Sequence, residues 1–119
     1  MAEWNGSERR NPEDMTLGSL QRKFTLMLGK LILKAYELGY ELTLGEGYDD
    51  DGVGHMKGSM HYIRLAQDLN LFKDGVWLDK GPAAEKGFNI LHDIWDELGG
   101  AERIAKDLNH FSVKWAGRR

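Results

Sequence analysis

Apolar residues recur at spacings of three and four between Leu17 and Leu38, which is typical of an amphipathic helix. Thr16 or Asp14 is placed to cap the start of this helix, and Gly39 stands where a glycine often follows the last turn. The stripe predicts a helix with one face in the core. Its members are Leu17, Leu20, Phe24, Met27, Leu28, Leu31, Ala35 and Leu38.

A second helix is predicted to begin at Pro82, because proline is favoured in the first helical turn, and to end at Gly99 and Gly100. His92 follows directly after Leu91 in this helix, and we interpret it as a surface or boundary histidine rather than a ligand. The apolar face consists of Phe88, Leu91, Ile94, Trp95 and Leu98.

Four short segments have the alternation or the β-propensity of strands. Asp74 and Gly75 form a hairpin signal, so the segment after them should return antiparallel to the segment before them. The pattern predicts an α+β fold in which a small antiparallel sheet packs against two main helices. The predicted strands are residues 40–44, 64–72, 76–78 and 110–115.

The length of 119 residues suits a single domain. Residues 1–15 are polar and aperiodic, so we expect a flexible N-terminal segment followed by one domain over residues 16–119. The N-terminus lacks the apolar region of a signal peptide, and no apolar stretch is long enough to span a membrane. The sequence therefore predicts a globular protein without an integral membrane segment.

The charge and the cysteine count narrow the possible chemistry. A net charge of −3 provides no basic excess to neutralise a phosphate backbone, so we do not expect a nucleic-acid partner. The chain has no cysteine. Disulfides are therefore excluded, and any metal site must use His, Asp or Glu side chains.

Residues 45–58 contain five glycines, three consecutive aspartates and a histidine, which predicts a long loop. Long loops within compact domains are often functional. The run Asp49, Asp50 and Asp51 offers the clustered oxygens that Ca²⁺ prefers, but it lacks the spacing of an EF-hand. A solvated acidic loop is the preferred interpretation, and a Ca²⁺ site is the alternative.

Two pairs of residues could carry chemistry. His61 and Asp68 are seven positions apart, so they converge only if His61 lies on a loop and the chain turns before the strand. Asp68 is an acid among apolar strand residues; it is either a buried carboxylate with a partner or metal, or an outward-facing side chain on a half-exposed strand. Asp107 and His110 are three positions apart, so a turn would bring both to one side.

These residues lie in two segments that together resemble a known family. The first is Ser-x-His-x-x-Arg-Leu-Ala-x-Asp-Leu-Asn-Leu-Phe, from Ser59 to Phe72, and the second is Asp-x-x-His-Phe, from Asp107. They closely resemble the zinc D-Ala-D-Ala carboxypeptidase-like family, which includes the vancomycin-resistance peptidases and the L-alanyl-D-glutamate endopeptidases (endolysins) of phages. The resemblance is closer to the phage branch and covers about residues 17–115.

The resemblance implies a zinc ion bound by His61, Asp68 and His110 at the face of the sheet, in a fold like that of hedgehog and D-Ala-D-Ala peptidases. Three protein ligands leave a fourth position on zinc open, as catalytic sites require. The resemblance further implies that Asp107 is the catalytic base, and that Ser59 lies beside the metal where it contacts the substrate.

One feature departs from the family pattern. Many relatives carry an arginine shortly after the segment that here ends at Tyr48, thought to stabilise the substrate carbonyl, but no arginine lies between Arg22 and Arg64. Either Lys57 or His55 replaces it, or the role of the arginine is lost. We therefore expect Lys57 to contribute to catalysis, and Tyr48 and His55 to contact the substrate.

The function implied by the resemblance is zinc-dependent hydrolysis of the L-Ala-D-Glu bond in the stem peptides of peptidoglycan. The alternatives are a carboxypeptidase or dipeptidase acting on D-Ala-D-Ala ends, and a non-catalytic wall-binding protein that retains the metal. A phage enzyme of this kind would be made in the host bacterial cytoplasm and act on the periplasmic cell wall, so it would need a holin-like export partner. We expect a monomer.

Overall fold

The structure, a computed structural model, describes residues 16–46 and 63–115. The predicted flexible segment 1–15 and the acidic run at residues 49–51, with its alternative of a Ca²⁺ site, lie outside these residues. The predicted α+β class, with two helices and a small antiparallel sheet, is confirmed. The elements are α1 (Leu17–Glu37), β1 (Glu41–Leu44), β2 (Ala66–Lys73), β3 (Val76–Trp77), α2 (Pro82–Glu97) and β4 (His110–Ser112).

Helix α1 begins and ends at the predicted residues. Thr16 is the N-cap, and its Oγ1 accepts a hydrogen bond from the Ser19 N–H at 3.2 Å. Gly39 adopts a positive φ of 88°, and its N–H donates to the Tyr36 carbonyl at 3.1 Å, which closes the helix. Among the described residues, no helix combines the length and the apolar character needed to cross a membrane.

Strand β2 is the central strand, and each of the other strands pairs with it in an antiparallel ladder. It begins at Ala66 instead of the predicted Arg64, because Arg64 has a left-handed backbone with φ 58° that forms a turn. Strand β4 is correspondingly shorter than predicted. Its last residue, Ser112, pairs with Ala66, so the ladder ends where β2 begins.

Trp95 of α2 occupies the centre of the core with no exposed surface. Its ring meets those of Phe24 and Phe111 edge to face, with centroids 5.8 and 5.9 Å away. Its Nε1–H donates to the Ser112 carbonyl at 2.8 Å, which satisfies the buried indole nitrogen and ties α2 to β4. The helices thus pack on one face of the sheet through a continuous apolar cluster that includes Leu20, Leu31, Leu65, Leu69, Leu71 and Leu91.

The segment between α2 and β4 is irregular but held to both elements. Nη2 of Arg103 donates to Asp93 Oδ1 at 2.7 Å and to Asp96 Oδ2 at 2.9 Å, and Nη1 donates to Asn89 Oδ1 at 2.9 Å. The Ala101 N–H donates to the same Ser112 carbonyl that Trp95 contacts, at 2.9 Å. These hydrogen bonds fix the path of the chain that leads into β4.

Two glycine replacements should change stability in opposite directions. A Cβ at Gly100 would collide with the buried indole of Trp95, so Gly100→Ala should lower the free energy of unfolding by about 1–3 kcal/mol. A Cβ at Gly29 in α1 meets no atom within 4 Å, so Gly29→Ala should raise it by about 0.5–1 kcal/mol through helix propensity. Urea denaturation measures both free energies of unfolding, and similar values for the two variants would contradict the close packing of Gly100 against Trp95.

Candidate functional site

Asp68 lies where β2 has neighbours on both edges. On one edge its N–H donates to the Glu46 carbonyl at 2.7 Å, and its carbonyl accepts from the Gly45 N–H at 2.8 Å. On the other edge it stands in register with His110 of β4. A Cβ on Gly45 would lie 3.2 Å from the Asp68 carbonyl oxygen, so glycine permits this close approach. The backbone of Asp68 is therefore fixed from both sides.

The side chains of Asp68 and His110 meet because directly paired residues of an antiparallel ladder project from the same face. Asp68 Oδ1 lies 3.5 Å from His110 Nδ1. The exposed fractions are 19% for the Asp68 side chain and 7% for the His110 side chain. The alternative of an outward-facing, solvated Asp68 does not hold, because this carboxylate is mostly buried against an imidazole.

The predicted turn between Asp107 and His110 is present. The His110 N–H donates to the Asp107 carbonyl at 3.1 Å, and the Asp107 N–H donates to the Ile104 carbonyl at 2.8 Å. Asp107 Oδ2 lies 3.9 Å from His110 Nδ1, and the Asp107 side chain is 52% exposed. Two carboxylates thus approach the same imidazole nitrogen, one from within the protein and one from its surface.

The third predicted zinc ligand, His61, lies outside the described residues, as do Tyr48, His55, Lys57 and Ser59. Within residues 16–46 and 63–115, no group of three or more His, Asp or Glu side chains is arranged to hold a metal ion. The turn that the convergence of His61 and Asp68 requires is found just before β2. The convergence itself stays a prediction.

The two described ligand candidates fit zinc in both chemistry and spacing. A carboxylate oxygen and an imidazole nitrogen are common zinc donors. Two donors on a tetrahedral zinc, at bond lengths of about 2.0–2.2 Å, are roughly 3.3–3.6 Å apart. The distance of 3.5 Å between Asp68 Oδ1 and His110 Nδ1 falls within this range. Asp68 and His110 could therefore hold one ion between them, with Asp107 at its open side.

His92 is buried, with 1% of its surface exposed, so the interpretation as a surface or boundary histidine is wrong. It lies four residues after Phe88 and three before Trp95, so the helical period could have placed it on the apolar face. Its ring stacks on Phe111, with centroids 4.1 Å apart and an interplanar angle of 11°. Burial in this apolar setting lowers the pKa of His92 below its ordinary value of 6.5.

The buried imidazole of His92 also contacts the loop that carries the candidate catalytic acid. Its Nε2 lies 2.7 Å from the carbonyl oxygen of Leu108. Because a carbonyl only accepts, the ring must carry its proton on Nε2 and donate it. Leu108 stands between Asp107 and His110, so this hydrogen bond helps to fix the turn that sets their spacing. The sequence did not indicate this positioning role.

A cleft of about 430 Å³ adjoins the site. It lies between residues 77–81, which lead from β3 into α2, and residues 105–109, which lead into β4. Leu69 and Leu71 of β2 and Phe88 of α2 form apolar parts of its wall, and Asp107 is on its rim. The volume is within the usual range for ligand pockets. The candidate base thus borders a space large enough for part of a substrate.

No protein-family model matches this chain, and no curated protein matches it. The resemblance to zinc peptidases is therefore carried by the two sequence segments, residues 59–72 and 107–111. It remains a prediction. The structural observation that bears on this prediction is the proximity of the Asp68 and Asp107 carboxylates to the His110 imidazole.

The replacement His92→Gln should flatten the pH dependence of stability. Because the folded pKa of His92 is held below the unfolded value near 6.5, its contribution to stability is fully present above that value and is lost as the pH falls towards the folded pKa. Glutamine keeps a donor for the Leu108 carbonyl but does not titrate.

The measurement is urea denaturation at about pH 7.5 and about pH 5.5, on either side of the unfolded histidine pKa, in the presence of a chelator. The chelator removes any contribution from metal ligands. The loss of stability between the two conditions should be smaller in the variant than in the parent protein. Equal losses in both proteins would contradict a buried, neutral His92.

Proposed function

We propose that this protein is a zinc-dependent peptidoglycan peptidase that hydrolyses the L-Ala-D-Glu bond of murein stem peptides. The observation that carries the proposal is the grouping of Asp68 and Asp107 around His110, at 3.5 and 3.9 Å from one imidazole nitrogen. The sequence resemblance supplies the substrate class. The cleft beside Asp107 is large enough to accept part of the stem peptide.

The proposed zinc ligands are His61, Asp68 and His110. Zinc bound there would polarise the scissile carbonyl and lower the pKa of a water molecule to about 7. The single carboxylate among the ligands leaves a net positive charge, which favours the oxyanion that develops on the substrate. Burial of Asp68 and His110 lowers the local dielectric, so this charge is screened less than at the surface.

Asp107 is the proposed general base. Its carboxylate would accept the proton of the attacking water and return it to the leaving amine. The side chain is half exposed and borders the cleft, so it can reach both a water molecule and a bound peptide. The hydrogen bonds at Ile104, Leu108 and His110 hold the turn on which Asp107 is displayed.

The same site chemistry would serve a carboxypeptidase or dipeptidase acting on D-Ala-D-Ala ends, and the bond that is cut distinguishes them. Under the proposal, Lys57 or His55 takes the place of the family arginine. The protein would act as a monomer on the periplasmic wall, and a holin-like partner would release it from the cytoplasm. A non-catalytic wall-binding protein differs because its function would not depend on Asp107.

The variant Asp107→Asn should lower kcat on purified murein by roughly 10²–10⁴-fold, because it removes the general base. It should still bind zinc, since Asp107 is not a proposed ligand. His110→Ala should lose both activity and zinc. Asp74→Asn is the matched control, because Asp74 lies in the β2–β3 hairpin with φ 52°, a conformation that asparagine tolerates.

Mass spectrometry of the products identifies the bond, and metal analysis of the purified proteins gives the zinc content. New N-terminal D-Glu on the released peptides is the expected result. Release of D-Ala alone would instead support the carboxypeptidase. Equal wall binding by the parent protein and Asp107→Asn, with no bond cut by either, would refute a peptidase.

A further inference from the structure

The cleft beside the candidate site exists because β3 and β4 leave a gap along one edge of β2. The Leu69 N–H donates to the Asn109 carbonyl at 2.9 Å, and the Leu71 carbonyl accepts from the Leu78 N–H at 2.7 Å, so both neighbours border this edge. Strand β4 pairs with β2 only at residues 66–68, and β3 pairs only at residues 72–73. The cleft opens in the interval between them.

Trp77 stands on the far rim of this cleft and is 56% exposed, which is unusual for so large an apolar side chain. It pairs with Phe72, so it projects from the sheet face that also carries Asp68. Val76, its neighbour, is 61% exposed but pairs with Lys73 and projects from the opposite face. Of these two exposed side chains, Trp77 is the one on the side of the candidate site; its partner Phe72 projects from the same face but is partly buried.

We propose that Trp77 is a stacking platform for a sugar ring of the peptidoglycan glycan, so that the protein recognises stem peptides while they are attached to their muramyl sugar. This inference rests on the proposed function. The face of an indole is electron-rich, and the C–H groups on one face of a pyranose ring carry partial positive charge, so the two attract each other. Burial of both faces adds a hydrophobic contribution.

The distance between Trp77 and the candidate site suits this substrate. Phe72 lies four residues from Asp68 along β2, which corresponds to about 13 Å, and Trp77 is opposite Phe72. In a muramyl peptide, the lactyl group and L-Ala separate the sugar from the scissile carbonyl by about two residue lengths, roughly 7 Å. A sugar ring beyond this spacer therefore reaches towards Trp77 when the carbonyl lies beside Asp68 and His110.

The surroundings of Trp77 favour a sugar over an apolar protein partner. Asp79, Lys80 and Glu85 line the same cleft and are exposed, and Asn70 contributes an amide. A sugar has an apolar face with hydroxyl and acetamido groups around its edge. The apolar face could stack on the Trp77 indole, while the polar edge could hydrogen-bond to the charged and amide groups around it. An apolar protein partner would call for a larger exposed apolar patch than Trp77 and the partly buried Phe72 beside it.

The test compares two substrates with the same scissile bond: a muramyl-tetrapeptide, and the free tetrapeptide released by an amidase. The parent protein should have the higher kcat/KM on the muramyl substrate. Trp77→Ala should lower the ratio of kcat/KM on the muramyl substrate to kcat/KM on the free peptide by at least about fivefold. The loss should come from a higher KM for the muramyl substrate, with kcat/KM on the free peptide unchanged, because the platform contacts only the sugar. Val76→Ala is the matched control and should keep the preference.

Binding of the GlcNAc-MurNAc disaccharide without any peptide provides a second readout. The indole N–H resonance of Trp77, assigned as the one missing from the spectrum of Trp77→Ala, should shift as the disaccharide is added to the parent protein. Thermal unfolding of both variants shows whether each retains the fold, which the exposure of both side chains leads us to expect.

The outcomes separate this inference from the proposed function. If Trp77→Ala slows both substrates equally, or if the indole resonance does not shift, the platform does not bind sugar and the inference fails while the peptidase stands. If the parent protein cuts neither substrate but the disaccharide shifts the resonance, the peptidase fails and sugar binding stands. If neither cleavage nor a shift occurs, both are wrong.

Discussion

The register between β2 and β4 is the constraint on which the candidate site depends. Phe111 and His110 are adjacent in the chain, so they must project from opposite faces of the sheet. Phe111 is fully buried among Trp95, Phe88 and the ring of His92 on the helix side. A slip of one residue would place the imidazole in the core and the phenyl ring at the site. Burial of Phe111 therefore sets His110 against Asp68.

Helix α2 connects this core to the site. Trp95 donates a hydrogen bond to the Ser112 carbonyl at the end of β4, and His92 donates one to the Leu108 carbonyl just before β4 begins. Arg103, bound to the acidic side chains of the same helix, anchors the intervening segment. The turn that displays Asp107 has no regular structure of its own, yet one helix supports it at several points. Its geometry is therefore a property of tertiary packing, which an isolated loop would not have.

The three described residues of the site differ in exposure in a way that suits different roles. Asp68 and His110 are held in the sheet and are largely shielded from water, which favours the binding of a cation between them. Asp107 is half exposed and borders a cleft, so its carboxylate is accessible to water. This difference in exposure is the physical reason why Asp68 and His110 are proposed as ligands and Asp107 is proposed as a base. Trp77 lies at the opposite rim of the cleft.

The sequence by itself determined the elements and their caps. Thr16 and Gly39 delimit α1, Pro82 begins α2, and Asp74 and Gly75 form the hairpin, because capping, proline geometry and turn preferences are local properties of the chain. It also marked Asp68, Asp107 and His110 as candidates, through an acid in an apolar strand and a spacing of three residues. Their residue types and short-range spacing were enough for that.

Only the tertiary structure decided which of these groups meet. Asp68 and His110 are 42 positions apart, and no pattern along the chain specifies the ladder that pairs them. The burial of His92 was within reach of the helical period, but its hydrogen bond to Leu108 was not, because the partner lies in an irregular segment. The sheet face from which Trp77 projects likewise follows from its pairing with Phe72. Contacts of this kind depend on how distant segments pack, which is a property of the whole fold.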